Sequence, residues 1–206
     1  VSPHQALLPA DRSALRDQFG IPHDAFLVGS IGRLSPEKRY DRLVRTVAEL
    51  RKREPGLNAM LVLVGEGERH DELVLLADSL SVTSSVNFCG FRPEARRFLD
   101  IFNLFVLCSE TEGLPVALLE AMAANCPVAV TDVGDCLRVI DDGRAGIALP
   151  EDEGQWPVCI AAFAEEAEPE TLARCKRASH RIETDYAQAE TLRAYESLYE
   201  ARNPST

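Results

Sequence analysis

A chain of 206 residues, 46% of them hydrophobic, is long enough to bury one sizeable core, and a single α/β domain is expected. Its 22 Lys+Arg against 33 Asp+Glu leave a formal charge of −11, which argues against a general nucleic-acid or anionic-membrane binder, since both need a net basic face. A phosphate-bearing ligand would therefore need a local basic pocket.

The chain opens with a Pro- and Ala-containing leader and a short helical pattern over residues 1–25, as expected of a segment cut from a longer protein. The stretch Val1 to Pro9 lacks the basic start and apolar core of a signal peptide, and no run approaches the apolar length of a membrane span. From Phe26 to Pro150, short apolar runs alternate with amphipathic stretches, the signature of a parallel sheet covered on both faces. Strands are predicted at Phe26–Ile31, Met60–Val64, Val86–Phe88, Leu104–Cys108, Val128–Thr131 and Gly146–Leu149. Between the first two, Leu43, Val47 and Leu50 recur at helical spacing over Tyr40–Glu54, and Pro55-Gly56 is the stop. Helical patterns also fit His70–Leu80, Glu94–Leu99, Pro115–Ala124 and Cys136–Asp141.

Nearly every strand is thus followed by a crossover helix, which predicts a doubly wound, Rossmann-like sheet of about six strands. Beyond residue 150 the pattern turns to C-terminal helices at Trp156–Glu166, Glu170–Ile182 and Tyr186–Arg202, the last carrying a stripe of Leu192, Tyr195, Leu198 and Tyr199. The six cysteines, Cys89, Cys108, Cys126, Cys136, Cys159 and Cys175, lie singly in apolar contexts without metal-like spacing, and read as reduced, buried thiols of a cytoplasmic protein. His4, His23, His70 and His180 are scattered and read as surface residues.

In such a sheet ligands bind beyond the carboxyl ends of the strands, so the loops there are the ones to search. The first, Gly32-Arg33-Leu34-Ser35-Pro36-Glu37-Lys38, carries two cations five residues apart. Arg33 as a planar fork and Lys38 as a point charge can converge on a diphosphate; the alternative is a pair of solvated surface cations. The second is Glu112-Gly-Leu-Pro-Val-Ala-Leu-Leu-Glu120, in which Pro115 suits the first position of a helix. The free amides of Gly113, Leu114 and Val116 and the positive end of the helix dipole favour an anion, though Pro115 itself has no N–H to give. Glu120 follows Pro115 by five residues, roughly 7–8 Å along the helix, so the carboxylates flank the phosphate position. A carboxylate beside a diphosphate is repelled, whereas one accepting hydrogen bonds from a vicinal diol is favoured, which suits sugar hydroxyls for Glu112 and ribose hydroxyls for Glu120. Capping of the helix remains an alternative for Glu112, and plain exposure for Glu120.

Smaller cues lie in two further loops. Gly65-x-Gly67 lacks the third glycine of a dinucleotide fingerprint and follows the second strand, so it is not read as an NAD site. The loop Gly90-Phe91-Arg92-Pro93, with Arg97, is a candidate border for a nucleobase, against the alternative of plain loop structure.

Taken together, Gly32 to Lys38, Glu112 to Ala123 and Pro127-Val-Ala-Val-Thr-Asp-Val-Gly134 resemble the C-terminal, nucleotide-sugar-binding domain of family 4 retaining glycosyltransferases of the GT-B fold. The resemblance covers roughly residues 10 to 200. It implies that Arg33 and Lys38 bind the donor diphosphate, that Glu112 contacts the transferred sugar, that Glu120 holds the ribose, and that the backbone from Gly113 to Val116 adds contacts. Arg33, Lys38 and Glu112 would then be the catalytic set, the two cations stabilising charge on the leaving diphosphate without a metal or other cofactor. Asp132 and Asp135 keep the metal question open.

The resemblance further implies an acceptor glycan, lipid or small molecule bound mainly by an N-terminal domain that these 206 residues do not include. The chain departs from the family pattern at Gly134-Asp135-Cys136, where many members have a second glycine and then Glu, and at Asn125, which replaces a common glycine; turn geometry at both is left open. Two other functions fit less well: half of a GT-B-like sugar-nucleotide epimerase, and a non-catalytic binding module. A phosphorylase would carry a lysine for a pyridoxal cofactor, and no segment suggests one.

Overall fold

The computed structural model describes residues 4–113 and 115–186. A helix α1 (Pro9–Gln18) leads into the strand β1 (Phe26–Ile31), and from there strand and helix alternate except at one connection, where a 3₁₀ turn replaces the helix. In chain order these are α2 (Tyr40–Arg53), β2 (Ala59–Val64), α3 (His70–Ser79), β3 (Val86–Phe88), β4 (Leu104–Leu107), α4 (Val116–Ala123), β5 (Val128–Val130), α5 (Cys136–Val139) and β6 (Ile147–Ala148). Helices α6 (Trp156–Ala164) and α7 (Glu168–Asp185) complete the described chain. The sheet has six strands in the order β3-β2-β1-β4-β5-β6, and every pairing is parallel. This is the doubly wound, Rossmann-like arrangement that the sequence predicts, with helices on both faces and at the C-terminal end.

The two faces follow from the pleat, since successive side chains on a strand point to opposite sides. Leu27, Val62, Phe105 and Val130 pack on one side with α1, α4 and α7, while Val28, Leu61, Leu63, Leu104 and Val106 pack on the other with α2, α3 and α6. Strands buried on both faces need no polar alternation, which is why β2 reads as an unbroken apolar run and all six of its residues are buried. Helix α2 offers the sheet Leu43, Val44, Val47 and Leu50, a single apolar stripe, and closes with Arg51, Lys52 and Arg53 near its negative dipole end.

Element boundaries differ from the sequence-based ones where local chemistry intervenes. The helix expected at residues 94–99 is a 3₁₀ turn over Ala95–Asp100, with Arg97 N donating to Glu94 O at 3.0 Å. Helix α5 lasts one turn because Asp141 and Asp142 both turn left-handed, at φ 52 and 50. Asn125, standing where a glycine is common, adopts φ 55 and closes α4, with Cys126 N bonded to Ala121 O at 3.0 Å; asparagine tolerates this region better than other non-glycine residues. The terminal helical pattern Tyr186–Arg202 lies outside the described residues apart from Tyr186. Five of the six free cysteines are buried and Cys159 is partly exposed. His4 faces inward, its side chain 7% exposed and bonded to Asp100 at 2.8 Å.

A parallel sheet reverses its winding where the chain leaves one side and restarts on the other. Here β1 leads outward to β2 and β3, while β4 returns to the opposite flank of β1, with Val28 opposite both Leu61 and Leu104. The crevice between the loops after β1 and β4 is the switch point. Phe105→Ala, at a core position 1% exposed on β4, should cost about 3–5 kcal/mol in urea denaturation. Leu75→Ala, at a position 69% exposed on α3, should stay within about 0.5 kcal/mol of the parent.

Candidate functional site

The loop after β1 is shaped by the loops beside it. Gly32 N donates to Val64 O at 3.0 Å and Leu34 N to Glu66 O at 2.9 Å, while Arg69 N donates to Leu34 O at 3.0 Å, so the turn is bound on one flank to the loop after β2. Gly65, at φ +146, makes this approach possible: a Cβ there would overlap the carbonyl oxygen of Gly32. The Gly65-x-Gly67 motif thus serves close backbone packing. Leu34 is 1% exposed and anchors the turn in the core, which leaves Arg33 exposed beside it. Pro36–Lys38 then form one 3₁₀ turn, and Arg39 takes φ 50 before α2 begins.

The opposite wall descends from β4. Cys108 Sγ donates to Lys38 O at 3.1 Å and Glu110 N to Glu37 O at 2.8 Å, fastening the two loops together. Glu112 then turns back into the crevice. Its Oε1 accepts from Lys38 Nζ at 2.7 Å and from Ser109 Oγ at 2.6 Å. The Glu112 side chain is 8% exposed against 27% for Lys38. Ser109 is itself buried, and its carbonyl accepts from Thr131 Oγ1 at 3.0 Å. The loop after β5 presses on the same segment: Gly134, at φ 53, sits where a Cβ would overlap the carbonyl oxygen of Glu112. Gly134 is therefore the glycine this junction needs, whatever residue follows it.

These walls enclose a cavity of about 260 Å³ that brings together Arg33, Lys38, Glu112, Pro115 and Val116, with Phe105 and Leu107 completing the lining. Pro115 stands one position before the first helical residue rather than at it, and no side chain caps the start of α4. The amides of that first turn are therefore available to an anion at the mouth of the crevice. Gly113 faces open space, and Leu114 lies outside the described residues. Tyr40, also lining the cavity, has its phenol pushed up by burial and stays neutral. Burial likewise pushes the Cys136 thiol, near Glu112 and Lys38, up to about 12, so it is no nucleophile at neutral pH.

Glu120 sits further along α4, half-buried, with Arg96 Nε 3.7 Å from its Oε1. Arg96 was not singled out by the sequence; neighbours on a helical turn point in different directions, and here Arg96, not Arg97, turns towards α4. Arg97 instead bonds Glu94 at 3.0 Å, and the Arg92 guanidinium lies 4.9 Å from the Phe19 ring centroid. Both line a separate recess against α1, away from the crevice of Arg33 and Lys38. Gly90 joins the loop system through the backbone, its carbonyl accepting from Gly65 N at 2.9 Å. Ser109 and Thr131 were also missed. Their only signal was position, a hydroxyl directly past the end of a strand. Among the described residues no three His, Cys, Asp or Glu side chains are grouped to hold a metal, and no helix is long and apolar enough to cross a membrane.

Comparison with known proteins bears on this geometry. Residues 11–179 match the family model described as Glycosyl transferases group 1. The chain is 31% identical over 164 residues to a D-inositol 3-phosphate glycosyltransferase of Nocardia farcinica, covering 75% of this chain and 36% of that protein. Anabaena HepE, solved in complex with UDP-glucose, is similar at a TM-score of 0.77 and 25% identity, over 92% of this chain and 54% of HepE. A glycosyltransferase from Rickettsia africae shares the fold at a TM-score of 0.85 and 16% identity, over 95% of this chain and 52% of that one. The chain spans about half or less of the length of the curated relatives it matches. With the family model matching most of its length and the fold shared with solved glycosyltransferases, this chain belongs to the group 1 glycosyltransferases, with the fold of a GT-B C-terminal domain.

Proposed function

We propose that this domain grips the nucleoside-diphosphate-sugar donor of a family 4 retaining glycosyltransferase. The observation that carries the reading is the convergence of Arg33 and Lys38 with the uncapped start of α4 in one crevice at the switch point. A diphosphate there meets two cations and a helix N-terminus, which together offset the repulsion of an otherwise acidic chain. Glu112 lies on the sugar side and Glu120 on the ribose side. That HepE was solved with UDP-glucose supports a nucleotide-sugar ligand for the equivalent crevice here.

In the proposed reaction the bond between the anomeric carbon and the diphosphate oxygen breaks with its electron pair going to the diphosphate, an acceptor hydroxyl oxygen bonds to that carbon on the same face, and the hydroxyl proton passes to the departing diphosphate. Arg33 and Lys38 stabilise the charge that collects on the departing diphosphate, and no metal or other cofactor is invoked for that task. The acceptor, whether glycan, lipid or small molecule, meets the donor from across the cleft, on a partner domain. Gly90, Arg92 and Arg97 contribute least to this reading, because the two arginines are engaged against α1 and Glu94. The six free thiols support a cytoplasmic setting.

Two measurements test the proposal. Calorimetry with UDP, GDP and ADP should show binding of at least one; Arg33→Ala should weaken it about tenfold, the loss of one charge-assisted contact at an exposed position. Glu120→Ala should weaken the nucleotide by about fivefold yet leave inorganic pyrophosphate unaffected, since pyrophosphate has no ribose. Absence of binding by all three nucleotides at millimolar concentration counts against the donor site. Separately, product analysis by NMR on the protein that carries this domain should show the donor's anomeric configuration kept. An inverted product contradicts retention, and interconversion of the nucleotide sugar without acceptor favours an epimerase.

A further inference from the structure

An ion pair in the crevice joins the two groups that a bound donor would pull apart. Lys38 Nζ and Ser109 Oγ both donate to the same oxygen of Glu112, at 2.7 and 2.6 Å. Ser109 is buried and held from behind by Thr131, so the carboxylate is the fixed member of the pair and the more exposed Lys38, on its flexible stem, is the movable one. A diphosphate that recruits Lys38 must take it from Glu112. What remains is a nearly buried carboxylate with one hydrogen-bond donor, beside a newly arrived anion, and such a group is costly unless a further donor replaces the lost one. Sugar hydroxyls supply that replacement. A nucleoside diphosphate without a sugar does not.

We propose that the Lys38–Glu112 pair is a selectivity latch: Glu112 competes with sugar-free nucleoside diphosphates for Lys38 and yields it to a donor that brings hydroxyls of its own. The inference rests on the donor-site reading of the crevice and adds a direction to it. Before transfer the latch favours loaded donor over spent nucleotide. After transfer, when the sugar has left Glu112, the carboxylate recovers Lys38 and loosens the diphosphate product, so the same pair limits product inhibition.

The test is calorimetry of UDP and UDP-glucose, GDP and GDP-mannose, and ADP and ADP-glucose, carried forward with the pair that binds. Glu112→Gln keeps the shape and removes the competing charge. It should raise affinity for the sugar-free nucleotide about fivefold, the scale of a partly exposed ion pair, and erase most of the advantage of the sugar-bearing form. In a Lys38→Gln background the same substitution should change nucleotide affinity by less than about twofold, because the competition needs both partners. Nucleotide affinity unchanged or lowered in folded Glu112→Gln overturns the latch, and so does a fivefold gain that persists without Lys38, which would mark plain repulsion between Glu112 and the diphosphate.

Should Glu112→Gln fail to fold, Ser109→Ala carries the test in the opposite direction. With Ser109 gone, releasing Lys38 leaves Glu112 with no donor, and nucleotide affinity should fall about threefold while the sugar form loses less. Equal losses for the two forms overturn the proposal. If the parent chain binds none of the three nucleotides, the donor-site reading fails first and the latch with it.

Discussion

Everything proposed for this domain hangs on the parallel pairing of β1 with β4. Because β2 and β3 were laid down on the far side of β1 before the chain returned, the loops leaving β1 and β4 start side by side and lead away in different directions. A crevice must open between them, and backbone amides at the start of the following helix must face it. The hydrogen bonds from Cys108 and Glu110 to the carbonyls of Lys38 and Glu37 then fix how wide it opens. The second of these contacts runs from backbone to backbone and so does not depend on which side chains the two loops carry, whereas the first needs the Cys108 thiol.

On that frame the electrostatics are local. A net charge of −11 would repel a diphosphate over the chain as a whole, but distant surface charges are screened within about 10 Å at moderate salt, while Arg33, Lys38 and the helix start act at contact. Placing Glu112 against Lys38 lowers the cost of holding an unliganded cation in a partly buried crevice. The same contact makes the ligand compete for it. On the proposed reading, the ion pair that steadies the crevice is also the one a diphosphate must part.

The sequence made the frame legible because each strand carries its own apolar run and most helices their own stripe, so about six strands joined by crossovers follow from periodicity, while their order in the sheet came from the structure. It also pointed to residues that line the crevice, since Arg33, Lys38 and Glu112 sit on loops whose position is dictated by the strands before them. What it hid depends on fine rotation and on backbone contacts. Which of Arg96 and Arg97 turns towards Glu120 depends on the rotation of a turn whose exact start the sequence does not fix. Ser109 and Thr131 matter only because one carbonyl and one hydroxyl happen to align across adjacent loops. Asn125 shows the opposite case, an apparent departure from the family pattern that keeps the geometry, since asparagine reaches the same left-handed conformation a glycine would supply.

The most direct measurement is an amide NMR titration of this chain with the nucleoside diphosphate it binds best. Shifts concentrated at Gly32 to Lys38 and across Gly113 to Ala117, with little change around the Arg92 and Phe19 recess, are what a diphosphate seated at the switch point predicts. Shifts confined to that recess would contradict it.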